Sequence, residues 1–556
     1  MNLPPPAPSV GIDPKSIKLP RPTVVDEAKA PAASGHVPPA APPDVSESPG
    51  APDASTPANG AHGGAAVPRA VMSYRAGSEG QSQQRLSIEL VQDRHGAVYV
   101  VVREHGNPQV LRIGSDQLRG LIAQDIGRAG GRATQRAITE VIEELKAEAI
   151  TLGKQVDVAS RVAQLSDGTR VIALHDDANS QVWIAAGQVK VVTAGSPVLF
   201  WRPPVSAPMA MPALTGNAQL LKRYLNLCPV SFVLYIAWVT YTLAHAKQPG
   251  NVFVILLLIG GQGTGKSLIS KLSIRLVDPN VVGASRLPQS AKDLGIAAQQ
   301  SHLLVFDNQR ELRHDMSDAL CTMSTGGSLA SRRLYSDDQQ QVLQLHGALL
   351  LNGIHGFVDQ PDLAQRCLPL RLNPMDESKR ESESDLLRQF EADLPVIQRG
   401  LFDLIAGILQ HLAAAQVTSP QRMFGFCQWL AAYELASGHP MQGIYQDAYA
   451  DLLNEGQLDS IRDHVVGSAV LDFATQLEDG EWSGTPKELL EALNIFMSFG
   501  YQRPPRAWPD NEIALSKRLS PQIAALRTQS VIVVLERRKE RTINIKFIGV
   551  SRNSKY

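Results

Sequence analysis

The residues of this chain best suited to chemistry lie between Val252 and Ser267. An unbroken apolar run, Val252-Phe-Val-Ile-Leu-Leu-Leu-Ile259, leads into Gly260-x-x-x-x-Gly265-Lys266-Ser267, and Leu268-Ile-Ser-Lys-Leu272 follows at helical spacing. A buried strand, a glycine loop and a helix in that order are the setting a Walker A motif requires. Gly260, Gly261, Gln262, Gly263, Thr264 and Gly265 let the backbone turn so tightly that successive N–H groups and a helix N-terminus face a phosphate chain. Lys266 is placed to reach the β- and γ-phosphates, and the Ser267 hydroxyl to ligate magnesium. ATP and Mg2+ are therefore the expected ligands.

Two further apolar runs end in polar residues. Leu303-Leu-Val-Phe306 ends in Asp307, about 40 residues after the glycine loop, where a Walker B carboxylate belongs. Asp307 is expected to share the metal with Ser267. The next residue is Asn308, whose amide orients water but accepts no proton, so the hydrolytic base is left open between Asp307, Glu311 and another carboxylate. Ala348-Leu-Leu-Leu351 ends in Asn352-Gly353, and Asn352 is read either as a group reaching the γ-phosphate or as a cap on a strand-to-loop turn. In Pro361-Asp-Leu-Ala-Gln-Arg366, Asp362 and Arg366 stand one helical turn apart. Arg366 is expected to act as an arginine finger on a neighbouring subunit's nucleotide, the alternative being a plain i,i+4 ion pair with Asp362. Arg371 is a further candidate for a sensor acting in its own subunit.

Phe306-Asp-Asn308, Thr325-Gly-Gly327 to Arg333-Leu-Tyr335, Leu351-Asn-Gly353 and Pro361 to Arg366, in this order, resemble the ATPase region of primase–helicase-like proteins of phages, plasmids and integrative elements. These are AAA+ or superfamily 3 relatives. The resemblance covers roughly Gln164 to the C-terminus and is most specific between Gly260 and Arg371. It implies a ring-forming ATPase working on DNA during element replication, with the nucleotide roles falling on Gly260 to Ser267, Asp307, Asn352 (the sensor 1 position) and Arg366. It also implies a DNA-touching hairpin around Arg332-Arg333, although the tip Ser336-Asp-Asp-Gln339 is acidic. No carboxylate cluster for nucleotidyl transfer is evident, since His175-Asp176-Asp177 reads as a solvated turn.

The elements that position these residues set the domain plan. The chain has 556 residues, 44% of them hydrophobic, which is enough for several cores. Net charge is −1, so a nucleic-acid surface must be local. Four scattered cysteines give neither a zinc ribbon nor a disulfide framework, and a cytoplasmic protein is expected. The first residues lack the pattern of a signal peptide. Val230–Ala244 and Val252–Ile259 are each shorter than a bilayer span, so no membrane association is expected. Residues 1–70, rich in Pro and Ala, read as a disordered tail. Residues 71–205 alternate short strands with two helices, near 115–128 and 134–151, as an α+β accessory domain, with one strand expected over 158–165. Residues 206–400 are expected to form an α/β P-loop AAA+-like ATPase core, and 401–457 a helical region.

Residues 458–556 carry three helical stretches, 460–477, 485–494 and 511–529, then two alternating strands around Arg537-Arg-Lys-Glu-Arg541. That is the order of a winged helix. Lys517, Arg518 and Arg527 on its third helix, with Arg537, Arg538, Lys539 and Arg541 on its wing, are expected to meet DNA phosphates. Trp482 and Trp508 read as core residues. Together these features predict an ATP-dependent DNA helicase-like motor of a mobile genetic element, assembled as a homo-oligomeric ring, a hexamer. The alternative is an ATP-gated DNA-binding switch without unwinding; a small-molecule kinase fits the sensor, finger and winged-helix features poorly.

Overall fold

The computed structural model describes residues 88–548, except 104–105, 129, 333–339, 355–356, 359, 376–380, 440, 478, 499–503 and 538–540. The Pro/Ala-rich tail, Arg333 with the acidic hairpin tip, and Arg538 and Lys539 of the wing lie outside the described residues.

A four-stranded parallel sheet holds the centre. Its order is Leu303–Gln309, Ala348–Gly353, Ile255–Ile259, Cys367–Arg371. Successive side chains of a strand point to opposite faces, and both faces here are covered. Ile255, Leu257 and Ile259 enter a core with helices Ala291–Gln300 and His314–Thr325. Leu256 and Leu258 enter a larger core with helices Pro229–Ala244, Lys266–Val277 and Glu383–His411. This explains why the strands read as continuous apolar runs rather than alternating ones. Because the strands are parallel, Gly260, Asp307, Asn352 and Arg371 all fall at one edge.

The upstream region holds two antiparallel arrangements. Ile88–Gln92, Val98–Val102 and Gln109–Arg112 form a sheet backed by helices Asp116–Arg128 and Gln135–Leu152. Strands Val162–Gln164, Arg170–Ala173, Gln181–Ala185 and Gln188–Val192 form a meander. The meander's Ile172, Val182 and Ile184 share the larger core with Pro229–Ala244 and Glu383–His411, so the expected break at residue 205 does not divide the packing. The expected boundary at 400 likewise falls inside the single helix Glu383–His411. Composition marked a proline-rich connector, but the buried surface runs across it.

The expected strand over 158–165 is two short strands, Val158–Ala159 and Val162–Gln164, bent at Ser160-Arg161. The bend puts Arg161 into the interior, where it is 1% exposed. Its Nε donates to Asp278 Oδ1 at 2.8 Å, and its Nη atoms donate to the carbonyls of Ala173, Ala207 and Pro279. Asp278 follows the helix Lys266–Val277, and its Oδ2 accepts the backbone N–H groups of His302 and Leu303 at the start of the Asp307 strand. His175, expected in a solvated turn, is also buried here at φ 54°, and burial lowers its pKa, aided by Arg161 and Arg202. Asp176 does serve the turn, accepting the Ser180 N–H.

The C-terminal region packs helices Val465–Thr475, Pro486–Phe496, Glu512–Leu519 and Ile523–Thr528 on a three-stranded antiparallel sheet. The helix expected over 460–477 starts only at Val465, because 460–463 complete the helix Ile444–Asp463 and His464 caps the next one. The helix expected over 511–529 is broken by a 3-10 turn at Ser520–Gln522, where Pro521 lacks an N–H. Glu481–Gly484 adds an edge strand that the sequence reading lacked. Trp508 is buried and donates to Asn494 Oδ1 at 2.7 Å, while Trp482 packs on Phe473. Among the described residues no helix is long and apolar enough to cross a membrane.

The buried pair carries a stability prediction. Arg161→Ala or Asp278→Ala alone leaves an uncompensated buried charge and lowers unfolding free energy by about 3–5 kcal/mol in urea titrations. The double variant loses less than the sum of the two. A second prediction concerns pH. Burial lowers His302, with help from Lys247, and also His346 from the ordinary 6.5 to about 4. Both stay neutral when folded and take up protons on unfolding, so stability present above pH 6.5 is lost as pH falls toward 4. His302→Gln flattens the urea midpoint over that window.

Candidate nucleotide site

The glycine loop joins strand Ile255–Ile259 to helix Lys266–Val277. Gly263 and Gly265 hold φ 72° and 93°, which side-chain-bearing residues adopt at a cost, and Gly265 opens the helix. A Cβ on Gly260 would come within 2.9 Å of Thr264 Oγ1 and 3.1 Å of the Leu372 carbonyl. Lys266 Nζ donates to the carbonyls of Gly260 and Gly261, at 2.6 Å each. Partial burial lowers its pKa, and the nearby Asp307 carboxylate opposes that shift. Lys266 and Asp307 therefore share one electrostatic site, as their strand ends require.

Beyond Phe306 the Asp307 strand bulges, and pairing with the Asn352 strand resumes at Gln309 with Gly353. Asn308 sits at the bulge with φ 59°, a conformation asparagine tolerates better than most residues. Asn352 is buried between the two halves of the site. Its Oδ1 accepts the Asn308 N–H at 2.9 Å, and its Nδ2 donates to Ser270 Oγ on the glycine-loop helix at 2.9 Å. Both ends of the amide are thus engaged, and they lock the bulge to the helix. Neither Ser267 nor the Asp307 carboxylate has a side-chain hydrogen bond among the described residues, while Glu311 is exposed beyond the strand.

Arg366 is not brought to this edge. It precedes strand Cys367–Arg371, and its carbonyl accepts the Ile255 N–H at the opposite, entry end of the sheet. Its guanidinium bonds Asp362 at 2.6 Å through both the backbone carbonyl and Oδ2, so the i,i+4 pair forms. Asp362 Oδ1 also pairs with Arg422 at 2.6 Å. Partial burial works to raise the Asp362 pKa, but the bonds from Arg366 and Cys321 outweigh it and the net shift is downward. Arg371, by contrast, lies in register with Ile259 beside the loop and is ion-paired with Asp459 of helix Ile444–Asp463.

Sequence reasoning missed Asn226, whose Nδ2 donates to the Thr264 carbonyl at 3.1 Å and to that of Asn373 at 2.7 Å. It ties the loop to the segment after the last strand. It also missed Ser270. Both are single polar residues with no motif around them, so only their position identifies them.

These elements define a mixed α/β protein whose parallel sheet carries a glycine loop, a lysine, an aspartate and an asparagine at one edge. The profile of the actinomycete integrative conjugative element replication protein matches residues 219–455, and that of the AICE RepA C-terminal domain matches residues 466–554. Together the two matches take in more than half of the chain, which belongs to this family and is a replication protein of an integrative conjugative element. Among solved structures, the apo C-terminal region of NrS-1 aligns at 13% identity and TM-score 0.35, covering 83% of this chain and 96% of that one. SCCmec type IV Cch, described as an active helicase, aligns at 11% identity and TM-score 0.42, covering 84% and 95%. A comparison with curated proteins returns no match.

Asn352→Leu strips partners from the Asn308 N–H and the Ser270 hydroxyl. Unfolding free energy is expected to fall by about 1–2 kcal/mol in denaturant titrations, since the Ser270 hydroxyl stays fully buried without its partner while the more exposed Asn308 N–H loses its acceptor.

Proposed function

We propose that this replication protein is an ATPase that drives a DNA helicase-like motor, with an AAA+-like P-loop core and a C-terminal winged helix. The observation that carries the reading is the convergence of Lys266, Asp307 and Asn352 on the edge where the glycine loop opens. Gly260 to Gly265 offer backbone N–H groups to the phosphates, and Lys266 exchanges its carbonyl contacts for phosphate oxygens. Ser267 and Asp307 suit Mg2+, because both supply hard oxygen donors at one edge. Bound Mg-ATP supplies the transferable phosphoryl group and the charge on its oxygens. Asn352 and the bulge at Asn308 fix the strand end that faces that group.

Arg366 lies at the opposite edge, buried and bonded to Asp362, and acting on a neighbour's nucleotide requires its guanidinium to leave that pair. A homo-oligomeric ring, a hexamer, then supplies Lys266 and Asp307 from one subunit and Arg366 from the next. DNA would be met by Lys517, Arg527 and Arg541, which are exposed, with Arg518 beside them held by the Ala507 carbonyl. One observation favours a second reading, the ATP-gated switch without unwinding: Asn308 stands where a carboxylate would polarise water.

ATPase turnover measured with and without single-stranded DNA tests the proposal, and stimulation by DNA is expected. Lys266→Ala should abolish turnover; full activity in that variant would remove the nucleotide site. Arg366→Ala should slow hydrolysis by about 10³-fold while sparing nucleotide binding. Strand displacement with ATP supports the motor, whereas nucleotide-dependent assembly without displacement supports the switch.

A further inference from the structure

One carboxylate at the entry end of the central sheet carries two guanidinium groups. Asp362 Oδ2 meets Arg366 Nη1 and Asp362 Oδ1 meets Arg422 Nη1, both at 2.6 Å. We propose that Arg422 is a positioning residue for Arg366: by holding Asp362, it lets the Arg366 guanidinium leave that carboxylate for the phosphates of a nucleotide bound to a neighbouring subunit. The assignment rests on the reading of Arg366 as a trans-acting finger given above.

The two arginines are held differently. The Arg366 side chain is 10% exposed and that of Arg422 40%. Arg366 is gripped through a single nitrogen, since Nη1 bonds both Oδ2 and the Asp362 carbonyl. Its Nε is buried and has no hydrogen-bond partner among the described residues. An arginine pairs most strongly with a carboxylate when two of its N–H groups meet both oxygens. Arg422 occupies the second oxygen of Asp362, so Arg366 does not form that fork. A buried N–H without an acceptor carries a cost of its own. The resting position of Arg366 is therefore a weak one, and phosphate oxygens can compete for it.

Arg422 reaches the carboxylate from another element. It stands just ahead of the helix Phe424–Ala436, where the buried Met423 anchors the backbone, and its Nη1 also contacts Gln365 Oε1 at 3.4 Å. Two consequences follow from its charge. A second cation beside Arg366 repels it and weakens its hold on the shared carboxylate. Once Arg366 has left, Asp362 keeps Arg422 and the Cys321 thiol as partners, so no carboxylate is left bare. Among the described residues no third cation pairs with Asp362.

Steady-state ATP turnover of the full chain, with nucleotide affinity and thermal midpoint measured alongside, tests the assignment. Arg422→Gln keeps a polar side chain but removes the charge. It should lower kcat about fivefold, the scale of a partly exposed ion pair, with KM for ATP and the midpoint unchanged. Arg422→Lys, which keeps the charge, should retain most of the turnover. Adding Asp362→Asn to Arg422→Gln removes the group that traps Arg366 and should restore turnover. Unchanged kcat in Arg422→Gln, or a double variant no faster than Arg422→Gln, overturns the role of Arg422 and leaves the finger reading standing on the loss of turnover in Arg366→Ala. Normal turnover in Arg366→Ala overturns both. Should Arg422→Gln fail to fold, Asp362→Asn alone decides: turnover at or above wild type supports release of Arg366 from Asp362, and a fall overturns it.

Discussion

The buried pair of Arg161 and Asp278 ties together three parts that the sequence separates widely. Arg161 belongs to the upstream region, Asp278 ends the glycine-loop helix, and the same carboxylate caps the first N–H groups of the Asp307 strand. Removing two charges from water is expensive, and the pair is tolerated because Arg161 also donates to three backbone carbonyls and Asp278 accepts two backbone N–H groups. Its consequence is geometric. The helix that starts at Lys266 and the strand that carries Asp307 are pinned at their far ends to one side chain.

At the near ends a second connection does the same work. Asn352 joins the Asn308 bulge to Ser270 on the loop helix, and Asn226 joins the loop itself to the chain beyond the last strand. The site is therefore braced from both ends of the same helix and strand. Lys266 is held by two backbone carbonyls rather than by a carboxylate, and carbonyls are the weaker partners for an ammonium group.

The two arginines that follow the asparagine strand part company by topology alone. Cys367–Arg371 runs parallel to Ile255–Ile259, so a residue before it and a residue at its end lie on opposite edges. Arg371 lies in register with Ile259 at the loop edge, and its side chain is tied to Asp459 in the helix leading toward the C-terminal region. Arg366 faces away, sharing Asp362 with Arg422.

Sequence alone determined what depends on local order. The apolar run, the glycine spacing and the helical repeat from Val252 to Leu272 specify a strand, loop and helix whatever surrounds them, and the later runs ending in Asp307 and Asn352 specify two more strands. Once those strands are parallel, the polar residues at their ends must share an edge. Tertiary structure decided the rest. Nothing near Arg161 in the chain announces a partner 117 residues away, and nothing in the composition at residue 205 reveals that the meander and the long helix bury one another. The bend at Arg161 and the bulge at Asn308 were likewise set by packing. A motif records which atoms meet a ligand, whereas the contacts that hold the motif in place join residues far apart in the chain and leave no periodic trace within it.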